Sequence, residues 1–394
     1  MSTTEVSLAK RRLFLRDALT FLVLALVTGA LFLVTLFLFR SFTSHREELA
    51  LRWSGRGRVA LQAGKPEQAI AALRTALSYA PGTRPYELLL AEALENAGRT
   101  EEASNYFMSL WTTQPGDGFI NLELARLASK KDERSAIKYY RASIYGTWEG
   151  DGVVRRRQVR LELARYLIAR HDLNAARIEL LIAAGNSPSV PSLNITLADL
   201  LVQTGDIVDA LNYYQKALQV EPKNQTALQG AGRAAYELAR FSEARSLLER
   251  AVEVNASSPT NSEGLPGDLS QMLENSKRIL ELTPSGKLRP EERVARILAD
   301  RDIAKKRLDG CMVRFNSANP PPSILQQLEL RWTSSDALGR RSVLRRSLGA
   351  QDAALQLIYD TERQTSETCG TPTGDNALLL LLAKTSEMPD GTER

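Results

Sequence analysis

Residues 191–224 read PSLNITLADLLVQTGDIVDALNYYQKALQVEPKN. Leu197, Ala198 and Leu201 precede Gly205, and Ala210, Tyr214 and Ala217 follow it, before Pro222 ends the run. Small residues at 198 and 210 let two helices pack closely, and the larger apolar side chains fill the space left. Gly205 falls at the turn, where left-handed backbone is cheap for glycine. Pro222 lacks an N–H and clashes with the preceding turn, so it stops the second helix.

The same phrase recurs along the chain. Ala69, Ala103, Ala136, Ala176, Ala210 and Ala244 are spaced 34, 33, 40, 34 and 34 apart. Pro81, Pro115, Pro188 and Pro222 mark unit ends, and Gly64 and Gly98 sit at the same turn as Gly205. The third unit is one residue short before Ala136, and GTWEGDG at 146–152 interrupts the series after it, so a break in register is expected there.

A 34-residue helix–turn–helix of this pattern resembles the tetratricopeptide repeat. The expected fold is therefore all-α: a single N-terminal transmembrane helix, a tetratricopeptide α-solenoid of about six repeats, and a helical C-terminal cap. The units are placed at about 50–83, 84–117, 118–150, 157–190, 191–224 and 225–258. The resemblance implies a concave groove lined by the first helix of each unit. Position 9 of that helix is Arg58, Glu92, Arg126, Arg165, Asp199 and Arg233, and position 5 includes Leu88, Leu122, Leu161 and Ile195. Four arginines over an apolar floor suit a peptide with acidic side chains or a free carboxylate. The asparagines of the family's chaperone-tail clamp are missing from position 9. A second resemblance, to membrane-anchored bacterial regulators of lipopolysaccharide assembly, stops at the cysteines. Their metal domain needs two CxxC pairs, and this chain has single cysteines 58 apart.

Ala18 to Phe39 is a 22-residue run without charge. At ~1.5 Å per residue it spans ~33 Å, enough for a hydrocarbon core. No small-residue cleavage signal follows it, which favours a retained anchor over a signal peptide. Lys10, Arg11, Arg12 and Arg16 precede the run in a basic tail, 1–17, and Arg40, Arg46 and Arg52 follow it. The short basic tail favours an N-terminus in the cytoplasm and repeats in a bacterial periplasm. Ala25 and Gly29 form a small-xxx-small pair that would suit a homodimer.

Asn255 to Asp268 is rich in Asn, Ser, Pro and Gly, and 259–268 reads as a linker. Helical patterns follow at about 269–282, 291–309, 323–333, 336–348, 351–367 and 376–386, and 387–394 reads as a flexible tail. This region would cover the apolar face that a last repeat otherwise exposes. Cys311 falls on an apolar helical face and Cys369 in a turn-rich segment. In an oxidising compartment they would form a disulfide.

The chain of 394 residues carries a net charge of +5. Residues 1–40 hold five basic and two acidic side chains, so the other 354 are nearly neutral and show no nucleic-acid-binding face. Two histidines and two cysteines exclude a three-histidine or four-cysteine metal site. No nucleotide signature or catalytic constellation stands out, so no enzyme and no cofactor are expected. The function expected is a membrane-anchored scaffold for protein or peptide partners. The alternatives are a cytoplasm-facing assembly or quality-control factor, and an enzyme with an unrecognised site in the C-terminal region.

Overall fold

The computed structural model describes residues 3–185, 189–257, 265–315 and 320–385, with 3–17 as helical backbone only. Pro188, most of the expected linker (259–264) and the expected tail at 387–394 lie outside these residues. Among the described residues the chain is all-α, with no strand. It divides into two compact units, 1–163 and 164–394.

The first unit opens on one long helix. α1 runs from Thr3 to Gln62, sixty residues, which extends ~90 Å at ~1.5 Å per residue. The expected tail at 1–17 is thus helical from Thr3, and no connector separates the apolar stretch from the first repeat. Phe21, Leu33 and Phe37 are 73%, 67% and 72% exposed, whereas Ala50 and Ser54 of the same helix are buried. By length and composition, α1 is long and apolar enough to cross a membrane.

α2 (Pro66–Tyr79), α3 (Arg84–Asn96), α4 (Thr100–Thr113), α5 (Gly118–Ser129) and α6 (Glu133–Tyr145) follow. Their core joins Ile70, Leu73, Leu90, Leu94, Phe107, Ile120 and Leu124. Each large side chain taken out of water there contributes ~1.5–3 kcal/mol. Gly57 shows how tight the fit is: a Cβ on it would lie 2.6 Å from Leu73 Cγ.

The insert after α6 folds back on the start of α5. Thr147 N donates to Gly116 O, and Gly118 N donates to Thr147 O, both at 2.8 Å. Trp148 Nε1 donates to Ser143 O at 3.0 Å, and its indole occupies the space a Cβ on Gly118 would need. Asp151 Oδ1 then accepts from Val153 N and Val154 N. This cap starts α7 (Gly152–Ala169) five residues before the expected Arg157.

The second unit contains the rest of α7, then α8 (Leu173–Gly185), α9 (Pro191–Gln203), α10 (Ile207–Val220), α11 (Gln225–Glu237) and α12 (Phe241–Ala256). Beyond them lie α13 (Gly267–Leu282), α14 (Pro290–Met312), α15 (Ser323–Ser334), a 3₁₀ turn at Asp336–Gly339, α16 (Arg341–Arg346), α17 (Leu348–Cys369) and α18 (Asp375–Thr385). Residues 267–268, expected as linker, open α13. Leu248 of α12 is covered by Leu269 and Leu273 of α13. Phe241 joins a larger core with Ile279, Ile297, Leu308, Trp332 and Ile358.

Two expectations in this region are corrected. The helix expected at 336–348 is split, because Arg340 is extended and the Ser347 hydroxyl accepts from Ala350 N to start α17. Cys369 is not in a turn but ends α17, where Gly370 takes φ 89°. Arg307 Nη2 of α14 donates to the Gly370 carbonyl, and Arg314 Nη1, just past the end of α14, donates to that of Cys369. Cys311 and Cys369 are disulfide-bonded, with Cα atoms 5.8 Å apart.

The turn within each repeat demands left-handed backbone. Gly64, Gly98 and Gly205 take φ of 67°, 75° and 81°, and the equivalent residues His171 and Ala239 are forced to 62° and 58°. The short third unit omits this residue: Lys130 stays at φ −82°, and Asp132 caps α6 directly. Ala239→Gly is therefore expected to raise stability by about 1 kcal/mol, the left-handed strain outweighing the entropy glycine adds to the unfolded chain. A denaturant midpoint that falls instead would count against this account of the turn.

Candidate functional site

The residues expected to line a groove fall into two sets, one in each compact unit. In the first, Leu88 is half-buried, and Leu122 and Leu161 are buried. Arg58 and Glu92 are exposed and form no ion pair among the described residues.

Arg126 is different. Its Nε and Nη2 donate to the two Glu162 oxygens at 2.8 Å each, and Nη1 donates to Glu123 Oε1 at 2.9 Å. Tyr140 Oη donates to Glu162 Oε1 at 3.0 Å. The guanidinium is thus saturated by carboxylates from α5 and α7, so Arg126 is not an open post for an acidic ligand. Burial holds the Glu123 carboxyl above the usual carboxylate range, with Arg126 opposing and Glu95 adding to the rise.

In the second unit Arg165 is exposed and Ile195 half-buried. Asp199 and Arg233 come together. With Gln203, Tyr214, Gly230 and Glu237 they line a cavity of about 230 Å³ between α9, α10 and α11. Tyr214 Oη donates to Asp199 Oδ1 at 2.5 Å. Arg233 pairs with Asp268 at the start of α13. Burial and the Asp199 bond both push the Tyr214 hydroxyl up, so it stays a neutral donor.

Gly230 makes this arrangement fit, because a Cβ there would overlap the Tyr214 ring. Sequence reasoning placed Tyr214 in the core and did not single out Gly230. The available signal was a glycine inside a helix, which normally costs ~1 kcal/mol and so needs a packing reason. The cavity mixes two carboxylates, a phenol, an amide and a guanidinium. It suits a polar peptide segment that both donates and accepts hydrogen bonds, not a purely acidic one.

The C-terminal helices bury two further acids. Asp300 and Glu362 are 1% and 0% exposed. Both Glu362 oxygens lack a hydrogen-bond partner. Burial raises Asp300 to about 7, against Arg278 and Arg296, and raises Glu362 to about 8, against Arg307. Among the described residues, no group of three or more His, Cys, Asp or Glu side chains is arranged to hold a metal.

Residues 60–118 and 201–260 match the family model described as tetratricopeptide repeat. No curated protein matches the sequence. Among solved structures the chain is similar to PilF of Pseudomonas aeruginosa, at 19% identity over 54% of this chain and 95% of that one, TM-score 0.39. It is similar to PilW, described as a widely conserved type IV pilus biogenesis factor, at 17% identity over 59% and 98%, TM-score 0.39. A tetratricopeptide repeat protein from Parabacteroides merdae is 12% identical over 58% and 99%, TM-score 0.38.

Gly230→Ala is expected to cost about 1–3 kcal/mol by overpacking. Cutting Tyr214 back to Leu first should remove most of that loss, which a double-mutant cycle of denaturant unfolding would show. A second expectation concerns pH. Folded Glu362 keeps its proton to about pH 8, whereas its ordinary value is 4.5. The folded chain therefore binds more protons between those values, and this group's effect lowers stability as pH rises through the window. Glu362→Gln should flatten that decline and gain on the order of a few kcal/mol above pH 8. An unchanged pH profile of thermal unfolding would sink the assignment.

Proposed function

We propose that this tetratricopeptide-repeat protein is a membrane-anchored scaffold, with its repeats outside the cytoplasm of a bacterial cell. It binds a peptide segment of a protein partner at the cavity formed by Asp199, Tyr214 and Arg233. The observation that carries this reading is the cavity itself, where Gly230 leaves room for the Tyr214 ring, whose hydroxyl donates to Asp199 beside Arg233. Peptide backbone offers donors and acceptors in alternation, which this mixed lining matches.

The anchor is the stretch Ala18–Phe39, whose large apolar side chains face outward along α1. Leaving them in water would cost ~25 cal/mol for every Å². Lys10, Arg11, Arg12 and Arg16 place the N-terminus inside by the positive-inside rule. The Cys311–Cys369 pair supports an oxidising compartment for the rest. Ala25 and Gly29 share a shallow groove on α1 with Leu22 and Leu33, where a second copy of the helix would pack.

The cytoplasm-facing reading keeps Arg40, Arg46 and Arg52 in view, since these basic residues flank the other end of the stretch. One strain separates the two. A compartment-specific reporter is fused after Arg394, thiols are trapped in the same cells, and a photocrosslinker replaces Gln203. The proposal expects an outside reporter, blocked thiols and a crosslinked protein adduct that weakens with Tyr214→Ala. An inside reporter with free thiols overturns the sidedness, and the absence of any adduct overturns the peptide site.

A further inference from the structure

The insert at 146–152 is built as firmly as a repeat, yet it lies in the compact unit that does not hold the peptide cavity. What it fixes is the end of α6. Ser143 Oγ donates to Gly118 O at 2.8 Å, Trp148 Nε1 donates to Ser143 O, and Arg156 Nη2 of α7 donates to Gly146 O at 3.2 Å. A Cβ on Gly146 would lie 2.8 Å from Gly116 O, so the backbone is tightly packed where it leaves the helix. Tyr145, the last residue of α6, is nevertheless 78% exposed. The guanidinium carbon of Arg160 sits 5.9 Å from the centre of its ring. A large aromatic side chain at a rigid point of the surface is the kind of residue that anchors protein interfaces.

Arg134, Lys138, Arg141 and Tyr145 follow one another by four, three and four residues, so they share one stripe of α6. The stripe is ~16 Å long at ~1.5 Å per residue. All four side chains are exposed, and the three cations form no ion pair among the described residues. Lys138 lies over the Tyr139 ring, 5.6 Å from its centre. Asp132, next to Arg134, uses its carboxylate to cap α6. Residues 133–160 hold seven basic and three acidic side chains, within a region that is nearly neutral as a whole.

We propose that this stripe binds an acidic peptide segment of a protein partner, with carboxylates on Arg134, Lys138 and Arg141 and an apolar side chain against Tyr145. The surface is additional to the cavity at Asp199 and Tyr214 and does not depend on it. Its charge calls for an anion, and the surroundings select which one. A lipid surface takes up an amphipathic helix through the apolar face, and that face of α6, with Ala136, Tyr140 and Ile144, is already buried in the repeats. A nucleic acid is drawn by a wide positive field, and outside 133–160 the residues after 40 carry no basic excess. A short acidic peptide needs only the local match.

The test is the fluorescence anisotropy of a fluorescein-labelled peptide, glutamates flanking a single leucine, titrated with the full chain in detergent. Binding should saturate, and should weaken at least about tenfold between ~0.1 M and ~1 M salt as the screening length shrinks from ~10 Å to ~3 Å. Arg141→Glu should weaken it at least about tenfold, because an attraction becomes a repulsion. Lys138→Glu carries the same expectation if Arg141→Glu disturbs folding. Tyr145→Ala should weaken it about threefold or more and leave the salt dependence in place. Lys223→Glu makes the same charge change on an exposed lysine of the other unit. That variant and Tyr214→Ala should both leave binding unchanged. No saturable binding, or an equal loss with Lys223→Glu or Tyr214→Ala, overturns the proposal. Tighter binding of a single-stranded oligonucleotide, or of phosphatidylglycerol in mixed micelles, with the same dependence on Arg141 overturns it as well and names the anion that belongs there.

Discussion

Within each repeat the two helices meet where a small residue on one faces a large apolar residue on the other. Gly57 faces Leu73 in the first repeat, and Gly232 faces Leu248 in the last, each with room for no Cβ. In the intervening units alanine does the same work at Ala91, Ala164 and Ala198, all fully buried. Close packing of this kind tolerates little change in volume. The distance it sets between helices determines which side chains face outward, and therefore where a ligand surface can lie. At Gly230 the same rule operates between neighbouring repeats, and the space it leaves is filled by the Tyr214 ring that donates to Asp199.

The departures from the pattern are as well built as the pattern. The third unit drops the left-handed turn residue and replaces its role with an aspartate cap at Asp132. The following insert is held by two backbone hydrogen bonds and by Trp148 over Gly118. At the other end of the chain, Leu269 and Leu273 cover the last repeat, and Phe241 reaches into the C-terminal core. An uncovered terminal repeat would leave that apolar face in water.

Electrostatics is where position in a repeat informs least. Arg126, Arg165 and Arg233 occupy equivalent positions, yet Arg126 is saturated by Glu123 and Glu162, Arg233 meets Asp268, and Arg165 is exposed. Glu123 is buried within the repeats, and Asp300, Arg301 and Glu362 are buried in the C-terminal helices outside the repeat pattern. Their partners, or lack of them, depend on helices brought together from separate parts of the sequence.

The sequence by itself determined the all-α class, the positions of the repeat helices and the one long apolar stretch. These follow from short-range physics: helical periodicity, proline stops, small residues at fixed spacing and an uncharged run of membrane length. It did not reveal that α1 continues unbroken from that stretch into the first repeat, since neither Arg40 nor the residues after it forbid or demand a break. Only the tertiary structure decided which position-9 side chains stay open, why Gly230 is a glycine, and that Arg301 sits over Trp332. Each of those depends on a partner many residues away, and a long side chain's nearest charge is set by packing, not by its place in a repeat.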